Sequence, residues 1–383
     1  MMVDIFLYIE WTGGKLMSKA TQFFGSRMGI ISAGVFVGVF APLLQHWGNP
    51  GNMGICVACM ERDVAGALGL HRAALVQYIR PEIIGFVLGA LIAALLFREF
   101  KPRGGSSPMV RFFLGFFAMI GALVFLGCPW RALLRLAGGD GNAIFGLAGL
   151  TAGIWIGVLF LKSGYTLGRS QKEMKFTGWI FPMVMVGLLG LLLLAPQFGR
   201  TPEGALIGPI FFSQKGPGSQ HAPLIISLLI GLGVGFLAQR TRLCTMGAIR
   251  DVILIRSTHL LGGILGILIA AFAVNLLLGQ FKAGFTDQPI AQTNQLWNFM
   301  GMALSGLAFA LAGGCPGRQL FLSGEGDGDA ALFATGMIVG AGFAHNFSMA
   351  SSPAGVGTYG PITVMLGLIF CLMIGFTLRE KMA

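Results

Sequence analysis

The chain has 383 residues, of which 55% are hydrophobic and 11% are charged, and its formal net charge is +11. Soluble proteins carry about 25% charged residues, so this composition excludes a soluble globular domain and predicts a polytopic inner-membrane protein. The basic residues lie mostly in short segments between apolar runs. This distribution is typical of membrane topology and argues against a nucleic-acid-binding surface.

We expect the first 27 residues to form a cytoplasmic or interfacial segment, because they contain no long apolar run that ends in a cleavage site. Apolar runs follow, each near the length of about 20 residues that crosses a bilayer. The predicted spans are residues 28–45, 81–97, 109–127, 143–162, 178–196, 223–239, 259–279, 298–313, 331–349 and 360–378. We therefore predict an all-α fold with about ten membrane spans.

Four segments between the spans are too polar to cross the membrane and too apolar to be ordinary loops. Each begins near a Gly/Cys cluster and then takes on a helical pattern. Backbone of this kind is tolerated at membrane depth only where protein or water surrounds it, so we predict four re-entrant half-helices. They lie within residues 51–70, 128–142, 241–257 and 314–330.

The four segments form two matched pairs. Residues 127–141 read G-C-P-W-R-A-L-L-R-L-A-G-G-D-G, and residues 314–328 read G-C-P-G-R-Q-L-F-L-S-G-E-G-D-G. The other two segments share a cysteine and an Arg-Asp-Val run at nearly the same offset. We therefore predict two membrane repeats, residues 28–196 and 223–383, which are joined by a Gly/Pro-rich loop at 197–222.

Loop charge predicts how the two repeats are oriented. Basic residues predominate in residues 98–111 and 162–175, so both loops should be cytoplasmic. Residues 280–297 are the counterpart of the first loop, but they carry only Lys282 and Asp287 and should lie outside. The same loop position on opposite faces indicates an inverted repeat. Basic residues near both ends of the chain place both termini in the cytoplasm.

The repeated G-C-P-x-R motif combines groups that bind anions. Its members are Cys128, Pro129 and Arg131 in the first copy and Cys315, Pro316 and Arg318 in the second. Proline favours the first helical position, so each cysteine should be a helix N-cap, where unpaired N–H groups attract anions and polarise a thiol. The arginine one turn later stays charged. The motif predicts a site for a soft sulfur- or selenium-containing anion, although cysteine also packs as a small apolar side chain.

Further polar residues accompany the motif. Asp140 and Asp327, in the glycine-rich turns that follow it, are expected to cap the next span, to pair with the motif arginines, or to take part in proton coupling. The upstream segments add Cys56 and Cys244 as a second tier of thiols. Adjacent residues do not face each other on a helix, so we expect each member of the Arg-Asp pairs to pair elsewhere. These residues are Arg62, Asp63, Arg250 and Asp251.

The cysteine-centred repeat resembles the YeeE/YedE family of sulfur-compound permeases over roughly residues 28–378. G-N-M-G-I-C-V-A-C-M-E-R-D-V and G-C-P-W-R-A-L-L-R-L are most similar to the YedE branch associated with selenium metabolism. Thiosulfate members need not carry the Pro and Arg found in both downstream motifs here. The resemblance implies half-helices that meet at the midplane and a small cytosolic sulfur-carrier partner of the TusA/SirA type. It also implies a path on which thiols hydrogen-bond the anion without covalent capture, lined by Cys56, Cys128, Cys244 and Cys315.

We therefore predict a permease, not an enzyme, that takes up a small selenium or sulfur anion, with a selenium compound as the preferred substrate. We expect no cofactor and no metal site. A thiosulfate importer is an alternative within the same family. A second alternative is a membrane-embedded thiol redox or sulfur-relay enzyme, in which Cys56, Cys59 and Cys128 form a disulfide during turnover. A third is a thiol-gated anion channel.

Overall fold

The computed structural model describes residues 19–194 and 210–379. Most of the predicted segment 1–27, much of the connecting loop 197–222 and residues 380–383 lie outside the described residues. The described chain is helical apart from its loops and two short strands, β1 (Arg103–Gly104) and β2 (Gln171–Lys172). The helices used below are α1 (Arg27–His46), α2 (Val57–Ala67), α3 (Pro81–Leu96), α4 (Pro108–Phe125), α5 (Pro129–Ala137), α6 (Asn142–Lys162), α7 (Thr177–Leu194), α8 (Leu224–Thr241), α9 (Thr245–Ile255), α10 (Leu261–Leu277), α11 (Gln295–Ala312), α12 (Pro316–Gly324), α13 (Gly328–Asn346) and α14 (Gly360–Thr377).

A helix lies at every predicted span. Seven helical segments of the described chain are long and apolar enough to cross a membrane, and α3 and α10 are shorter apolar helices. The predicted half-helices are α2, α5, α9 and α12, which have 11, 9, 11 and 9 residues and are too short to span a bilayer. The protein is therefore an all-α polytopic membrane protein. The number of crossings and the re-entrant course of the short helices stay predictions.

Helices of the two halves pack in matched pairs. α1 packs on α10 as α8 packs on α3, and α6 packs on α11 as α13 packs on α4. The short helices follow the same rule, because α5 packs on α10 as α12 packs on α3. Since α8 to α14 follow the order of α1 to α7, each of these contacts has its counterpart in the other half, which is the packing expected of a structural repeat.

Paired glycines bring these helices close together. In α6, Gly149 and Gly153 lie against the backbone of α11, and at the repeat offset Gly336 and Gly340 of α13 lie against the backbone of α4. A Cβ at any of these positions would collide with a facing residue's carbonyl group. Membrane helices pack closely through small residues spaced four apart, so the glycine spacing in the sequence selects these partners.

Two loops are exchanged between the halves. The 98–107 loop, which follows α3, donates the Lys101 N–H to the carbonyl of Glu325 at the end of α12, at 2.9 Å. The 278–294 loop, which follows α10, makes the equivalent bond from the Lys282 N–H to the end of α5, also at 2.9 Å. Each loop thus covers a short helix of the other half, and the two halves are interleaved.

The two strands connect loops that the sequence predicts on one side of the membrane. β1 lies in the 98–107 loop and pairs antiparallel with β2, so that Arg103 stands opposite Lys172. The two positively charged loops therefore lie on the same face of the protein. That this face is cytoplasmic stays a prediction from their charge.

Candidate functional site

Each of the four short helices begins immediately after a cysteine. Cys56 and Cys244 are the N-caps of α2 and α9, and each sulfur accepts a hydrogen bond of 3.3 Å from the backbone N–H three residues further on. Cys128 and Cys315 are the N-caps of α5 and α12, each followed by a proline. Proline at the first helical position leaves no N–H unpaired, so the local sequence fixes where these helices start.

Cys56, Cys59 and Cys128 form what we call the first thiol group. The Cys56 thiol is a hydrogen-bond neighbour of both Cys59 and Cys128. The Cys128 sulfur also faces the backbone N–H groups of Ala58 and Arg131. All three cysteines are 2% exposed or less. The group therefore combines thiols with backbone donors from two helix N-termini in the protein interior.

The cation of the first thiol group is Arg131, which is fully buried. Its Nη1 donates to the Cys59 sulfur at 3.3 Å. Its other hydrogen bonds go to backbone carbonyls, those of Asn52, Leu126, Pro289 and Ile290. No carboxylate within the described ranges forms an ion pair with it. A buried charge without a counter-ion is costly, so this position favours an anionic ligand.

Cys244 and Cys315 form the second thiol group. Their sulfurs are 3.5 Å apart, and the Cys315 N–H also approaches the Cys244 sulfur at 3.5 Å. The Cys315 sulfur faces the backbone N–H groups of Thr245 and Arg318. Both cysteines are buried. The second group thus repeats the geometry of the first, with a thiol pair at two helix N-termini.

The two groups differ in charge. Arg318 lies 3.4 Å from Oε1 of Glu325. The same carboxylate also contacts Arg242 at 2.8 Å and, through Oε2, Arg103 at 3.5 Å. The first copy has Gly138 where the second has Glu325. The arginine of the second thiol group therefore has a counter-ion, whereas Arg131 has none among the residues that the structure describes.

Glu99, in the 98–107 loop, extends the charged cluster beside the second thiol group. Its carboxylate accepts hydrogen bonds from Arg240 and Arg242 at 2.9 Å and from Gln239 at 2.8 Å. Burial alone would raise the pKa of Glu99, but these hydrogen bonds and positive charges outweigh it and lower that pKa below its ordinary value. The ionised carboxylate therefore ties the 98–107 loop to the end of α8.

A tryptophan lies where the two motifs meet. Trp130 and Gly317 are equivalent residues, and a Cβ on Gly317 would lie 3.6 Å from Cζ2 of Trp130. The indole also packs on Phe86 and Phe321, at ring-centroid distances of 6.2 and 6.0 Å. The N-termini of α5 and α12 therefore approach each other at this indole ring, which is two residues after Cys128 and packs against the residue two positions after Cys315.

The adjacent Arg-Asp pairs bind each other, so the expectation that each member pairs elsewhere is wrong. Arg62 contacts Asp63, and Arg250 contacts Asp251, both at 2.7 Å. The long, flexible arginine stem lets the guanidinium fold back to the next residue. Asp63 also binds Arg80 at 2.7 Å, and all three side chains of this cluster are buried. This cluster holds α2 to the start of α3.

The motif aspartates bind arginines other than Arg131 and Arg318. Asp140 contacts Arg135 at 2.6 Å, and both side chains are fully buried. Asp327 is the N-cap of α13 and contacts Arg103 of the 98–107 loop at 2.8 Å. The expected alternative that these aspartates pair with Arg131 or Arg318 is therefore wrong. Asp140 binds an arginine closer in the chain, and Asp327 binds an arginine of the other half.

The fold and site together define a class of protein. No group of three or more His, Cys, Asp or Glu side chains in residues 19–194 and 210–379 could hold a metal ion. The chain is a polytopic membrane protein whose two interleaved halves each present buried thiols and an arginine at the N-termini of short helices. This arrangement is suited to small anions, for which helix N-termini and guanidinium groups are the usual ligands.

Comparison with known proteins relates part of the chain to a transport family. The family model described as sulphur transport matches residues 240–375, which contain the whole second thiol group. This match agrees with the resemblance of the sequence to the YeeE/YedE proteins. The thiosulfate transporter TsuA of Spirochaeta thermophila is 32% identical to it over 99 residues. That match covers 26% of this chain and 29% of TsuA. The similarity to the selenium branch stays a prediction.

The sequence analysis missed three residues of the site. The sequence features described above do not single out Trp130 or Glu325, and they include Cys59 only in the redox alternative. A signal was present in the repeat, because each of these residues stands where the other copy has glycine. The corresponding pairs are Trp130 and Gly317, Glu325 and Gly138, and Cys59 and Gly247.

Proposed function

We propose that this protein is an inner-membrane transporter for a small sulfur anion, and that thiosulfate is its substrate. The observation that carries the proposal is the charge of the first thiol group. Arg131 is fully buried there, next to thiols and a helix N-terminus, without a carboxylate partner in the described part of the chain. The match of residues 240–375 to the sulphur transport family model and the partial similarity to a thiosulfate transporter support this assignment.

The chemistry of the site suits an ion with a soft sulfur end and a hard oxygen end. A thiol is a weak donor and a weak acceptor, so it would bind the terminal sulfur of the anion loosely. The N–H groups at the start of α5 would bind the oxygens more strongly, and the positive charge of Arg131 would attract the anion to them. Weak, successive sites let a substrate leave as well as enter, and this binding requires no covalent bond.

The proposed path runs from the first thiol group to the second. The first lies under the 278–294 loop, and the second lies beside the 98–107 loop, which the charge pattern predicts on the opposite face. In an inverted repeat, residues 28–196 and 223–383 would expose these groups to the two sides in turn. The anion would bind more tightly at Arg131, which has no carboxylate partner in the described residues, than at Arg318, for which Glu325 competes. The second group would therefore release it more readily, and the gradient of the anion would set the direction of net uptake.

Two parts of this proposal rest on the sequence alone. We place both termini in the cytoplasm, so that release occurs on that side. A small sulfur carrier of the TusA/SirA type would then accept the sulfur there. A selenium compound as substrate rests only on the resemblance to the selenium branch, whereas thiosulfate has the similarity to TsuA beside it.

Uptake of labelled thiosulfate into proteoliposomes tests the proposal. Cys128→Ala and Cys315→Ala should each lower uptake at least tenfold, because each removes a sulfur that faces two backbone N–H groups. Cys371→Ala is the matched control, since this cysteine is equally buried but lies in α14 outside both thiol groups. Undiminished uptake by the Cys128/Cys315 double variant would overturn the proposal.

The close thiols also favour a second candidate, the redox or sulfur-relay enzyme. The sulfurs of Cys244 and Cys315 are 3.5 Å apart, within reach of a disulfide after a small movement. Uptake in the constant presence of reductant separates the candidates, because transport by hydrogen bonding continues there while a disulfide cycle stops. Loss of uptake under reductant, with recovery after oxidant, would favour the relay.

A further inference from the structure

We propose that Trp130 is the central gate between the two thiol groups, and that its indole N–H donates a hydrogen bond to an oxygen of the passing anion. This inference deepens the proposed function and rests on it for the identity of the ion. It assigns the substrate as an oxyanion of sulfur, which offers oxygen acceptors, in preference to a bare sulfide ion.

The position of Trp130 follows from the repeat. It is the second residue of α5, between Cys128 and Arg131 of the first thiol group. Its equivalent, Gly317, has no side chain and lies two residues after Cys315 of the second thiol group. The N-termini of α5 and α12 approach each other at these two residues. The indole of Trp130 therefore occupies the space next to Gly317, which has no side chain to fill it. One ring thus lies at the junction of two otherwise matched sites.

Apolar contacts hold the ring in place. Phe86 of α3 and Phe321 of α12 pack on it from two helices, and Phe86 and Phe321 also contact each other at a centroid distance of 6.0 Å. Trp130 is 2% exposed. A ring clamped in this way blocks the direct route between the thiol groups until it moves, which is the behaviour required of a gate that admits one ion at a time.

The polar atom of the ring points to a ligand. The Nε1 of Trp130 is buried and has no hydrogen-bond partner in the part of the chain that the structure describes. Buried tryptophans usually satisfy this N–H, because an unmade hydrogen bond in the interior costs stability. In the second thiol group, the Thr245 hydroxyl next to Cys244 is likewise buried and has no partner among residues 19–194 and 210–379. Both groups are neutral hydrogen-bond donors. They can bind the oxygens of an anion less tightly than a further cation would, so the anion can still leave.

Two variants separate the donor role from the gating role. Trp130→Phe keeps an aromatic ring but removes the N–H, and we expect the half-saturating thiosulfate concentration to rise about tenfold, as for a lost hydrogen bond to a charged ligand. Trp130→Ala removes the ring, and we expect sulfate to leak through at a rate that wild-type protein does not show. Trp155→Phe, on a lipid-exposed tryptophan, is the control and should leave uptake unchanged.

Thiol labelling tests the gate without relying on transport. A small membrane-impermeant methanethiosulfonate reagent is added to one side of sealed vesicles of uniform orientation, and modified cysteines are located by mass spectrometry of the full-length protein. In wild-type protein, the side that labels Cys128 should not label Cys315. In Trp130→Ala, labelling of Cys315 from that side should rise at least tenfold.

The outcomes are distinguishable. Wild-type uptake kinetics in Trp130→Phe would overturn the donor role, and unchanged sidedness of labelling in Trp130→Ala would overturn the gate. If the proposed function itself fails, wild-type vesicles take up no thiosulfate, yet the labelling still reports whether the ring separates the two thiol groups. Size-exclusion profiles identify any variant that has not folded, and Trp130→Phe, which preserves the packing, then decides.

Discussion

Asp140→Asn should destabilise this protein far more than the equivalent change Asp327→Asn. The two aspartates hold the same position in the two copies, but their environments differ. Asp140 contacts Arg135 at 2.6 Å with both side chains fully buried, whereas the contact of Asp327 with Arg103 is 2.8 Å long and partly exposed. Asparagine keeps the shape and one acceptor oxygen in both places, so each substitution removes mainly the charge.

The difference in stability follows from burial. At 2.6 Å and an effective dielectric constant of about 20, the attraction between Asp140 and Arg135 is about 6 kcal/mol, part of which offsets desolvation. Removing one partner of a buried pair costs about 3–5 kcal/mol, because the other charge is left uncompensated. A partly exposed pair contributes about 1 kcal/mol or less, and Asn at 327 can still cap α13.

The assay measures the apparent unfolding temperature of the purified protein in detergent. Samples are heated to a series of temperatures, and size-exclusion chromatography then measures how much protein stays folded. We expect a fall of roughly 5–10 °C for Asp140→Asn and little change for Asp327→Asn. Adding Arg135→Leu, the residue that the second copy has at Leu322, should restore much of the loss by removing the orphaned charge. Equal effects of the two single variants, or no recovery in the double variant, would refute this reasoning.

Two further predictions concern packing and pH. Gly153→Val should abolish correct folding, because its Cβ would collide with the backbone of α11. Gly190→Ala, in open space on α7, should be neutral or slightly stabilising. The yield of monodisperse protein measures both effects. Glu99 has a lowered pKa in the folded protein, so its contribution to stability is complete above its unfolded pKa of about 4.3 and declines as the pH falls below it. The advantage of the wild type over Glu99→Gln in apparent unfolding temperature should therefore be constant from pH 7 to 5 and shrink towards pH 4; an advantage that grew on acidification would contradict this sign.

The repeat explains why one half of the site was easier to predict than the other. Matched residues such as Cys128 and Cys315 stand out because they occur twice at one offset. The residues that make the halves different, Trp130 and Glu325 among them, occur once and are marked only by a glycine at the equivalent position of the other copy. A comparison of the two copies should therefore look for mismatches as well as matches.

The sequence by itself determined the membrane class, the approximate position of each span and short helix, and the starting residues of α5 and α12. These features are local, because apolar length, glycine spacing, and a proline after a cysteine act within a few residues of each other. The tertiary structure decided which groups meet. It paired Cys56 with Cys128 and Cys244 with Cys315, gave Asp140 to Arg135, and set Trp130 against Gly317. Such contacts join segments distant in the chain, and long arginine and tryptophan side chains choose their neighbours only once the helices have packed.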